Sequence, residues 1–416
     1  MENTKKLRIG VFGYQRGAAL ASQVPVCGSE LVAVCEKWPD RLESARKSGK
    51  FTPDAGYYTD FDEFIKHDMD AVILANYWHQ HADYAIKAMR AGKDVLSETT
   101  AANTLAKCVE LVRTVEETGR KYMLEENFAY MAENVTMRRI YQGGSLGRVL
   151  YAEGEYVHPG KFRMGNYPGN PSRYHWRKWL PCTSYATHAM APLLYITGEK
   201  PVKVNAKAIY APDILSQTSR YNADIAGILL TETESGAVFR TTGHAMWGPH
   251  GYWWRVCGSK GGVDKVRGMN DPTLVRLTYN PWDKPTPETP ETQLIQATWE
   301  YPSLDNFAKK AGHGGGDFYV VYHFVRYLKQ GIEPPFTVIP AVTLSALEIM
   351  AGRSVQNGGV AYDIPDFSKE EDRKKYENDT LFVTPDENHN VTYPCCSHPD
   401  YRPTPEAEKA SEVPVY

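Results

Sequence analysis

Short apolar runs alternate regularly with helix-like segments up to residue 127. The apolar runs cover residues 7–12, 31–35, 70–75, 94–96 and 122–124, and helical patterns at 18–22, 41–48, 81–91 and 104–118 separate them. Runs that are apolar throughout are typical of strands buried on both faces. Strand–helix alternation favours a parallel sheet, so an α/β Rossmann domain with a doubly wound parallel sheet is predicted.

The pattern changes after residue 127. A helical segment at 132–142 is followed by runs with period-2 alternation at 149–156, 202–210, 226–234 and 237–243. Further helices are predicted at 185–197, 318–329 and 340–356, and a Pro- and Thr-rich loop at 279–292. These signals predict an α+β domain with a large, open, mostly antiparallel sheet. We therefore divide the chain into a nucleotide-binding domain (1–127), a substrate-binding domain (128–367) and a surface tail (368–416).

Composition narrows the function classes. The 416 residues include 47 Lys and Arg against 50 Asp and Glu, a formal net charge of −3, so no basic field favours nucleic acid. No apolar run of about 18 residues predicts a membrane span, and the N-terminus lacks a signal-peptide pattern, so a cytoplasmic location is expected. The seven cysteines lack metal-binding spacing, so reduced thiols and no metal site are expected. The 27 tyrosines suit sugar-ring stacking but also a merely large core.

A glycine-containing turn follows the first predicted strand. It reads Gly13-Tyr14-Gln15-Arg16-Gly17, without the middle glycine of the G-x-G-x-x-G fingerprint and one residue short. On its own this could be a structural turn, but it leads into a helix whose N-terminus can hold a pyrophosphate. About twenty residues later the second strand ends at Glu36, whose carboxylate suits ribose hydroxyls and repels a 2′-phosphate. We expect a dinucleotide, NAD rather than NADP, although Lys37 leaves NADP open.

A family resemblance rests on residues 70–98, DAVILANYWHQHADYAIKAMRAGKDVLSE. This stretch resembles the glucose–fructose oxidoreductase / inositol dehydrogenase (Gfo/Idh/MocA) superfamily. Ordinary dehydrogenases of that superfamily carry a lysine beside the hydroxyl that is oxidised, and this chain has Thr99 there. One branch also lacks the lysine: glycoside hydrolase family 109, the NAD-dependent α-N-acetylgalactosaminidases.

The chain is similar to that branch over most of its length, in the same order. The matching pieces are Glu126-Asn127 with Tyr130, Ala152–Tyr156, His175–Arg177, Tyr185–His188 with Ala191-Pro192, Gly258–Gly261, His313–Asp317 and Ile364–Phe367. It departs from the branch in the glycine turn and at Thr99-Thr100, where that family favours Val-Pro. With the resemblance, the predicted cofactor-binding residues are Gly13, Gln15, Arg16, Gly17, Glu36, Asn76, Trp78, His81, Glu98, Asn127 and Arg177.

The chemistry that the resemblance implies is glycoside cleavage through transient oxidation at carbon 3, elimination, water addition and re-reduction. Such a cycle needs groups that move protons near neutral pH. Tyr185 and His188 lie three residues apart, so they share a helical face if Ser184 caps a helix that starts at Tyr185. Tyr156 is the third predicted catalytic residue, and Arg177 or Lys161 could lower the pKa of a tyrosine base. Without the family match, the favoured interpretation of the Tyr185–His188 pair is the polar edge of a helix with a hydrogen-bonded histidine.

Five residues are predicted to bind substrate: Glu126, Lys161, Tyr252, His313 and Asp317. Glu126 could also be a helix cap, and some of Trp247, Tyr252, Trp253 and Trp254 could belong to the core.

The sequence therefore predicts an NAD-dependent glycosidase acting on a small carbohydrate substrate, as a homo-oligomer (dimer or tetramer) by resemblance to the superfamily. An NAD-dependent glycoside 3-dehydrogenase that releases a 3-keto sugar is the alternative, and a non-catalytic NAD-binding sensor is a third hypothesis.

Overall fold

The structure is a computed structural model that describes residues 6–159, 176–215, 221–248, 250–267, 273–386 and 388–406. The chain forms two compact units. Unit 1 comprises Met1–Tyr130, Ser303–Ser345 and Phe367–Thr380, and unit 2 comprises Met131–Pro302, Ala346–Asp366 and Leu381–Tyr416.

The first 130 residues form a six-stranded parallel sheet with helices between its strands. The strands are β1 Arg8–Phe12, β2 Glu30–Cys35, β3 Phe51–Tyr58, β4 Ala71–Leu74, β5 Asp94–Glu98 and β6 Tyr122–Glu125, in the order β3-β2-β1-β4-β5-β6. The helices are α1 Tyr14–Ala21, α2 Pro39–Lys47, α3 Phe61–Phe64, α4 His81–Arg90 and α5 Leu105–Thr118. The order reverses between β1 and β4, and such folds bind ligands there, at the carboxyl ends of the strands. The predicted Rossmann sheet is confirmed.

Residues 131–302 supply most of a second sheet. The elements are α6 Ala132–Gln142, β7 Val149–Val157, α7 Ala186–Thr197, β8 Pro201–Tyr210, α8 Pro212–Leu215, β9 Asp224–Thr233, β10 Val238–Ala245, β11 Gly251–Gly258, β12 Gly261–Lys265, β13 Leu274–Tyr279 and β14 Thr292–Gln296. The remaining described chain adds α9 Asp305–Ala308, α10 Gly316–Gln330, α11 Val338–Gln356, β15 Tyr362–Asp363 and α12 Glu370–Tyr376. The second sheet has nine strands in the order β14-β13-β12-β11-β7-β10-β9-β8-β15. Among the described strands of this sheet, only β10 and β7 pair in parallel, so the predicted mostly antiparallel sheet is confirmed.

The division of the chain differs from the predicted boundaries at 127 and 367. Helices α9, α10 and α12 belong to the unit of the first sheet. Asp317 at the start of α10 pairs with Arg16 of α1 at 2.7 Å, and Arg373 of α12 pairs with Glu116 of α5 at 2.6 Å. Arg373 is only 8% exposed, so the segment from 368 is not purely a surface tail. Sequence pattern alone does not reveal contacts between segments so far apart in the chain.

Helix α11 is the one candidate membrane span among the described residues. Its 18-residue window has a mean hydropathy of 1.3, and 61% of that window is buried inside the protein. Burial of this kind is what the core helix of a folded domain shows. No segment was expected to be long and apolar enough to cross a membrane, but by length and composition α11 is.

Candidate active site

The glycine turn between β1 and α1 is built by close approach of the backbone. Gly13 has φ 86°, and a Cβ there would lie 2.5 Å from the carbonyl oxygen of Ala75. A Cβ on Gly17 would lie 2.7 Å from a methyl carbon of Val11, so only glycine lets α1 pack this closely on β1. These are two of the roles that glycines play in dinucleotide-binding turns. The turn therefore keeps the required close packing although Gln15, which is exposed, replaces the middle glycine.

Arg16, in the first turn of α1, is the centre of an ion-pair network in unit 1. Its Nε donates to Glu98 at 2.5 Å and its Nη2 to Glu125 at 3.0 Å. Both Nη atoms donate to the Asp317 carboxylate, at 2.9 and 2.7 Å. All three guanidinium nitrogens therefore contact carboxylates, which leaves the backbone amides of α1 as the anion-binding groups of this turn. We call these four residues the Arg16 network.

The carboxylates of the Arg16 network differ in acidity. Burial opposes ionisation of Asp317, but hydrogen bonds from His313 and Arg16 outweigh it and hold the pKa of Asp317 well below its usual range. For Glu98, burial is outweighed by the charge of Arg16, and its pKa is lowered. Burial and the nearby Glu98 charge raise the pKa of Glu125 well above its ordinary value. Glu125 is therefore the member of the Arg16 network that takes up a proton most readily.

Glu36 lies at the end of β2 and is 5% exposed. Its Oε2 accepts a hydrogen bond from the backbone amide of Tyr14 at 2.8 Å, and its Oε1 accepts one from the amide of Trp38 at 3.1 Å. Each carboxylate oxygen can accept more than one hydrogen bond, so Glu36 can fix the glycine turn and still receive ribose hydroxyls. The Lys37 ammonium lies over the rings of Trp38 and Tyr77, at 5.0 and 4.7 Å.

The segment after β4 holds a buried side-chain amide that has no hydrogen-bond partner among the residues the structure describes. Both side-chain polar atoms of Asn76 are shielded from solvent, and neither has a hydrogen-bond partner in the described chain. Because buried polar groups are normally hydrogen-bonded, this amide fits a bound ligand. His81 is 2% exposed. Its Nδ1 lies 3.0 Å from the carbonyl oxygen of Thr100 and its Nε2 lies 3.3 Å from that of Asn76, so the ring links the segments that follow β4 and β5. Trp78 is buried in the 3-10 turn that follows Asn76.

The residues after β6 join the same network. The Asn127 amide donates to Asp317 at 2.8 Å, and His313 Nδ1 lies 3.0 Å from the same carboxylate. His313 is about half-exposed, whereas Glu126 is fully buried beside β6. His313 and Asp317, predicted as substrate contacts, are thus brought together with the predicted cofactor residues Arg16, Glu98 and Asn127.

Unit 2 contains a second group of predicted residues, a cluster of aromatic rings. The Tyr156 ring lies 4.9 Å from the His188 ring and 6.0 Å from the Tyr185 ring, between centroids. The rings of Tyr185 and His188 stack at 5.2 Å. The structure therefore brings together all three predicted catalytic residues. Two histidines that the sequence analysis did not select extend this ring cluster: His158 stacks on Tyr156 at 5.7 Å, and His244 meets Tyr185 at 5.4 Å.

The N-terminus of α7, which carries His188, is capped differently from the prediction. The helix begins at Ala186, and its N-cap residue Tyr185 has a left-handed backbone with φ 63° and no side-chain cap. The predicted cap by Ser184 is wrong. Instead, the buried Glu348 of α11 accepts a hydrogen bond from the Thr187 amide at 3.0 Å. A carboxylate stabilises a helix N-terminus. Because Glu348 lies 161 residues from Thr187 in the sequence, no pattern near α7 could have predicted this cap.

The other predicted residues of unit 2 have mixed placements. Tyr252 pairs directly with Tyr156 across β11 and β7, so both side chains lie on one face of the sheet, and the Lys265 ammonium lies 3.9 Å from its ring. The Arg177 guanidinium stacks on Trp176 at 4.3 Å. Trp254 is a core residue whose indole donates to the carbonyl of Ala189 at 3.2 Å. Lys161 lies outside the described residues.

Glu125 is the main member of the network in unit 1 that the sequence analysis missed. It pairs directly with Glu98 at the ends of neighbouring parallel strands. Because β5 and β6 both end in glutamate, the sequence could have predicted two neighbouring carboxylates at this edge of the sheet. No group of three or more His, Cys, Asp or Glu that could hold a metal ion exists within the described ranges.

Three family profiles match the chain. Residues 7–126 match an oxidoreductase family with an NAD-binding Rossmann fold, residues 134–264 match the GFO/IDH/MocA C-terminal domain, and residues 222–374 match the glycosyl hydrolase 109 C-terminal domain. The glycosyl hydrolase family 109 protein 1 of Bacteroides thetaiotaomicron is 27% identical over 406 residues, covering 87% of this chain and 85% of that protein. The alpha-N-acetylgalactosaminidase of Shewanella oneidensis is 24% identical, with the same coverage.

Solved structures share the fold at low identity. Levoglucosan dehydrogenase in complex with NADH and L-sorbose matches with a TM-score of 0.73 and 16% identity, covering 87% of this chain and all of that one. An oxidoreductase domain protein from Kribbella flavida gives the same TM-score and coverage at 19% identity.

Proposed function

This chain belongs to the glycosyl hydrolase 109 branch of the GFO/IDH/MocA oxidoreductases, a branch of NAD-dependent glycosidases, and we propose that it cleaves a glycosidic bond by transient oxidation of the sugar at carbon 3. The proposal rests on the ring cluster, in which the ring centroids of Tyr156, Tyr185 and His188 lie within 6.0 Å of one another. A conventional glycosidase uses a pair of carboxylates, whereas oxidation and elimination need groups that exchange protons near neutral pH.

Unit 1 has features that fit a nicotinamide dinucleotide. Gly13 and Gly17 leave room for no side chain, the amides of α1 begin directly after Gly13, and the Asn76 amide is buried with no hydrogen-bond partner among the described residues. When bound, the dinucleotide supplies the hydride acceptor and donor that make oxidation at carbon 3 reversible. Gly13, Asn76 and Glu36 are the residues that we assign to its binding.

We propose that the cofactor is NAD rather than NADP. A 2′-phosphate would meet the buried Glu36 carboxylate, which two backbone amides already hold in place. Calorimetry with NAD⁺ and NADP⁺ tests this: NAD⁺ is expected to bind more tightly. Equal or tighter binding of NADP⁺ would contradict the assignment and would point to Lys37 as a phosphate partner.

The proton transfers are assigned to the ring cluster. A ketone at carbon 3 acidifies the hydrogen on carbon 2, so a base can remove it while the aglycone leaves carbon 1, after which water adds back. We assign these transfers to Tyr185 and His188, with Tyr156 assisting at carbon 2. Thr99, at the position of the dehydrogenase lysine, is buried and its amide donates to Glu98, so it is not assigned an acid–base role.

The test is turnover of a panel of nitrophenyl glycosides with NAD⁺ present in less than molar equivalence to the substrate. Many turnovers per NAD⁺ without accumulation of NADH are expected. One NADH per 3-keto sugar would instead identify a glycoside 3-dehydrogenase. NAD binding with no turnover of any glycoside would identify a sensor.

Two variants tie activity to the ring cluster. His188→Ala is expected to lower the rate by about 10²–10⁴, the usual contribution of a general acid–base group. Tyr185→Phe removes only the hydroxyl and tests the same role with little change in volume. Near-native rates in both variants would contradict the assignment.

We also propose a homo-oligomer, a dimer or tetramer, formed through the open face of the nine-stranded sheet. Leu230, Val238 and Leu294 are exposed there, and Arg240 and Arg276 form ion pairs with Glu153 and Asp264 on the same face. Light scattering after gel filtration tests this, and a monomer at micromolar concentration would contradict it.

A further inference from the structure

Two residues of unit 2 that touch each other share an unfavourable backbone conformation. Tyr185 has φ 63° and His244 has φ 40°, and their rings meet edge to face with centroids 5.4 Å apart. A positive φ is uncommon in residues other than glycine and carries a cost in free energy. Such conformations persist where the surrounding structure fixes them, and they concentrate at functional sites.

The conformation of His244 results from an irregularity in β10. Thr242 pairs with Glu155 of β7, and Ala245 pairs with Val157. Over this stretch β10 therefore contains one residue more than β7. This bulge contains His244, and bulges re-aim side chains, often beside active sites. His244 is 2% exposed, so its ring is held among other protein groups rather than in solvent.

Glycines hold the loop before α7 against this bulge. A Cβ on Gly243 would lie 3.1 Å from the carbonyl oxygen of Cys182, and one on Gly227, its partner in β9, would lie 2.9 Å from the same oxygen. On β7, a Cβ on Gly154 would lie 2.1 Å from the carbonyl of Ala189 in α7. The loop that leads into α7 therefore rests on β9 and β10, and α7 itself rests on β7, and these contacts fix the distance from His244 to Tyr185.

We propose that His244 is a positioning residue that holds the Tyr185 ring against His188 for proton transfer. The His244 ring meets the Tyr185 ring edge to face at 5.4 Å and the His188 ring stacks on it at 5.2 Å, so the phenol ring contacts two imidazoles. The inference rests on the proposed function, because it gives His244 a role only through Tyr185.

The test compares His244→Asn with His244→Phe. Asparagine tolerates a positive φ but removes the ring, whereas phenylalanine keeps a ring of similar shape without nitrogen atoms. Misplacement of a reacting group by about 1 Å can cost about a hundredfold in rate, so His244→Asn is expected to lower kcat by about that factor. KM should change by less than about twofold, since the substrate contacts remain. His244→Phe should recover most of the lost rate.

The pH profile separates positioning from proton transfer by His244 itself. Positioning lowers kcat at every pH and leaves both limbs of the profile in place. A matched control is His389→Asn, because His389 also has a left-handed backbone, φ 67°, in an exposed turn, and no loss of rate is expected there. If His244→Asn does not fold, His244→Gly, which also accepts a positive φ, provides the same comparison.

Three results would overturn the inference: a wild-type rate in His244→Asn, an equal loss in His244→Phe, or a shifted limb of the pH profile. Failure of the proposed function looks different, because the wild-type protein would then cleave no glycoside. The two failures are therefore distinguishable in one set of assays.

Discussion

Replacement of Asp317 by asparagine tests the Arg16 network. The Asp317 carboxylate accepts two hydrogen bonds from Arg16 and one from Asn127, and it faces His313 Nδ1 at 3.0 Å. Asp317→Asn removes the negative charge and turns an NH₂ group toward a guanidinium that can only donate. Loss of one partner of a buried ion pair costs about 3–5 kcal/mol, and the low end, about 3 kcal/mol, is expected because Arg16 keeps Glu98 and Glu125.

Thermal unfolding measures this cost. For a folding unit of the size of unit 1, about 3 kcal/mol corresponds to a fall in Tm of about 6–12 °C. A matched control is Asp62→Asn, which breaks an exposed pair with Lys87 (side chains 66% and 54% exposed) and should cost less than about 1 kcal/mol. A loss below about 1 kcal/mol in Asp317→Asn would show that the Asp317 carboxylate does not hold the Arg16 network together.

The pH dependence provides a second check. The pKa of Asp317 is lower in the folded protein than the value of about 3.9 expected for an unfolded chain. Its stabilising contribution is therefore complete above about pH 4 and is lost as the pH falls through the folded pKa. The difference in stability between wild type and Asp317→Asn should shrink as the pH falls below about pH 4.

Two further predictions concern single positions. Thr99→Ala should lower the rate less than about tenfold, because a threonine hydroxyl is a poor acid–base group; a thousandfold loss with unchanged Tm would contradict its assignment. Gly154→Ala should destabilise the protein by about 1–3 kcal/mol in urea unfolding and should lower activity, because the new methyl group displaces α7. Gly251→Ala, where a Cβ would meet nothing within 4 Å, is the control and should change stability by less than about 0.5 kcal/mol.

The local sequence pattern was sufficient to predict those strands and helices whose sequence is continuously apolar or clearly periodic. The five predicted strands of the first sheet and helix α6 were found at or near their predicted positions. Strand β3 was missed because it lies at the edge of the sheet and contains Pro53 and the exposed Asp54. Strands β11 to β14 were missed because glycines and short lengths interrupt their alternation.

The candidate site was predictable where its members are close in sequence or follow a family motif. The Tyr185–His188 pair is of this kind. The partners of Arg16 are not, because Asp317 lies 301 residues away and Glu125 lies 109 residues away. The bulge that presents His244 depends on the register between β10 and β7, which no local pattern in β10 specifies.

The proposed elimination requires that the bond between carbon 2 and its hydrogen breaks during glycoside cleavage. Turnover in D₂O, followed by mass spectrometry and NMR of the released sugar, tests this most directly. Because the proton removed during elimination is replaced from solvent, deuterium is expected at carbon 2. A cleaved sugar that carries no deuterium at carbon 2 would contradict the oxidation–elimination account.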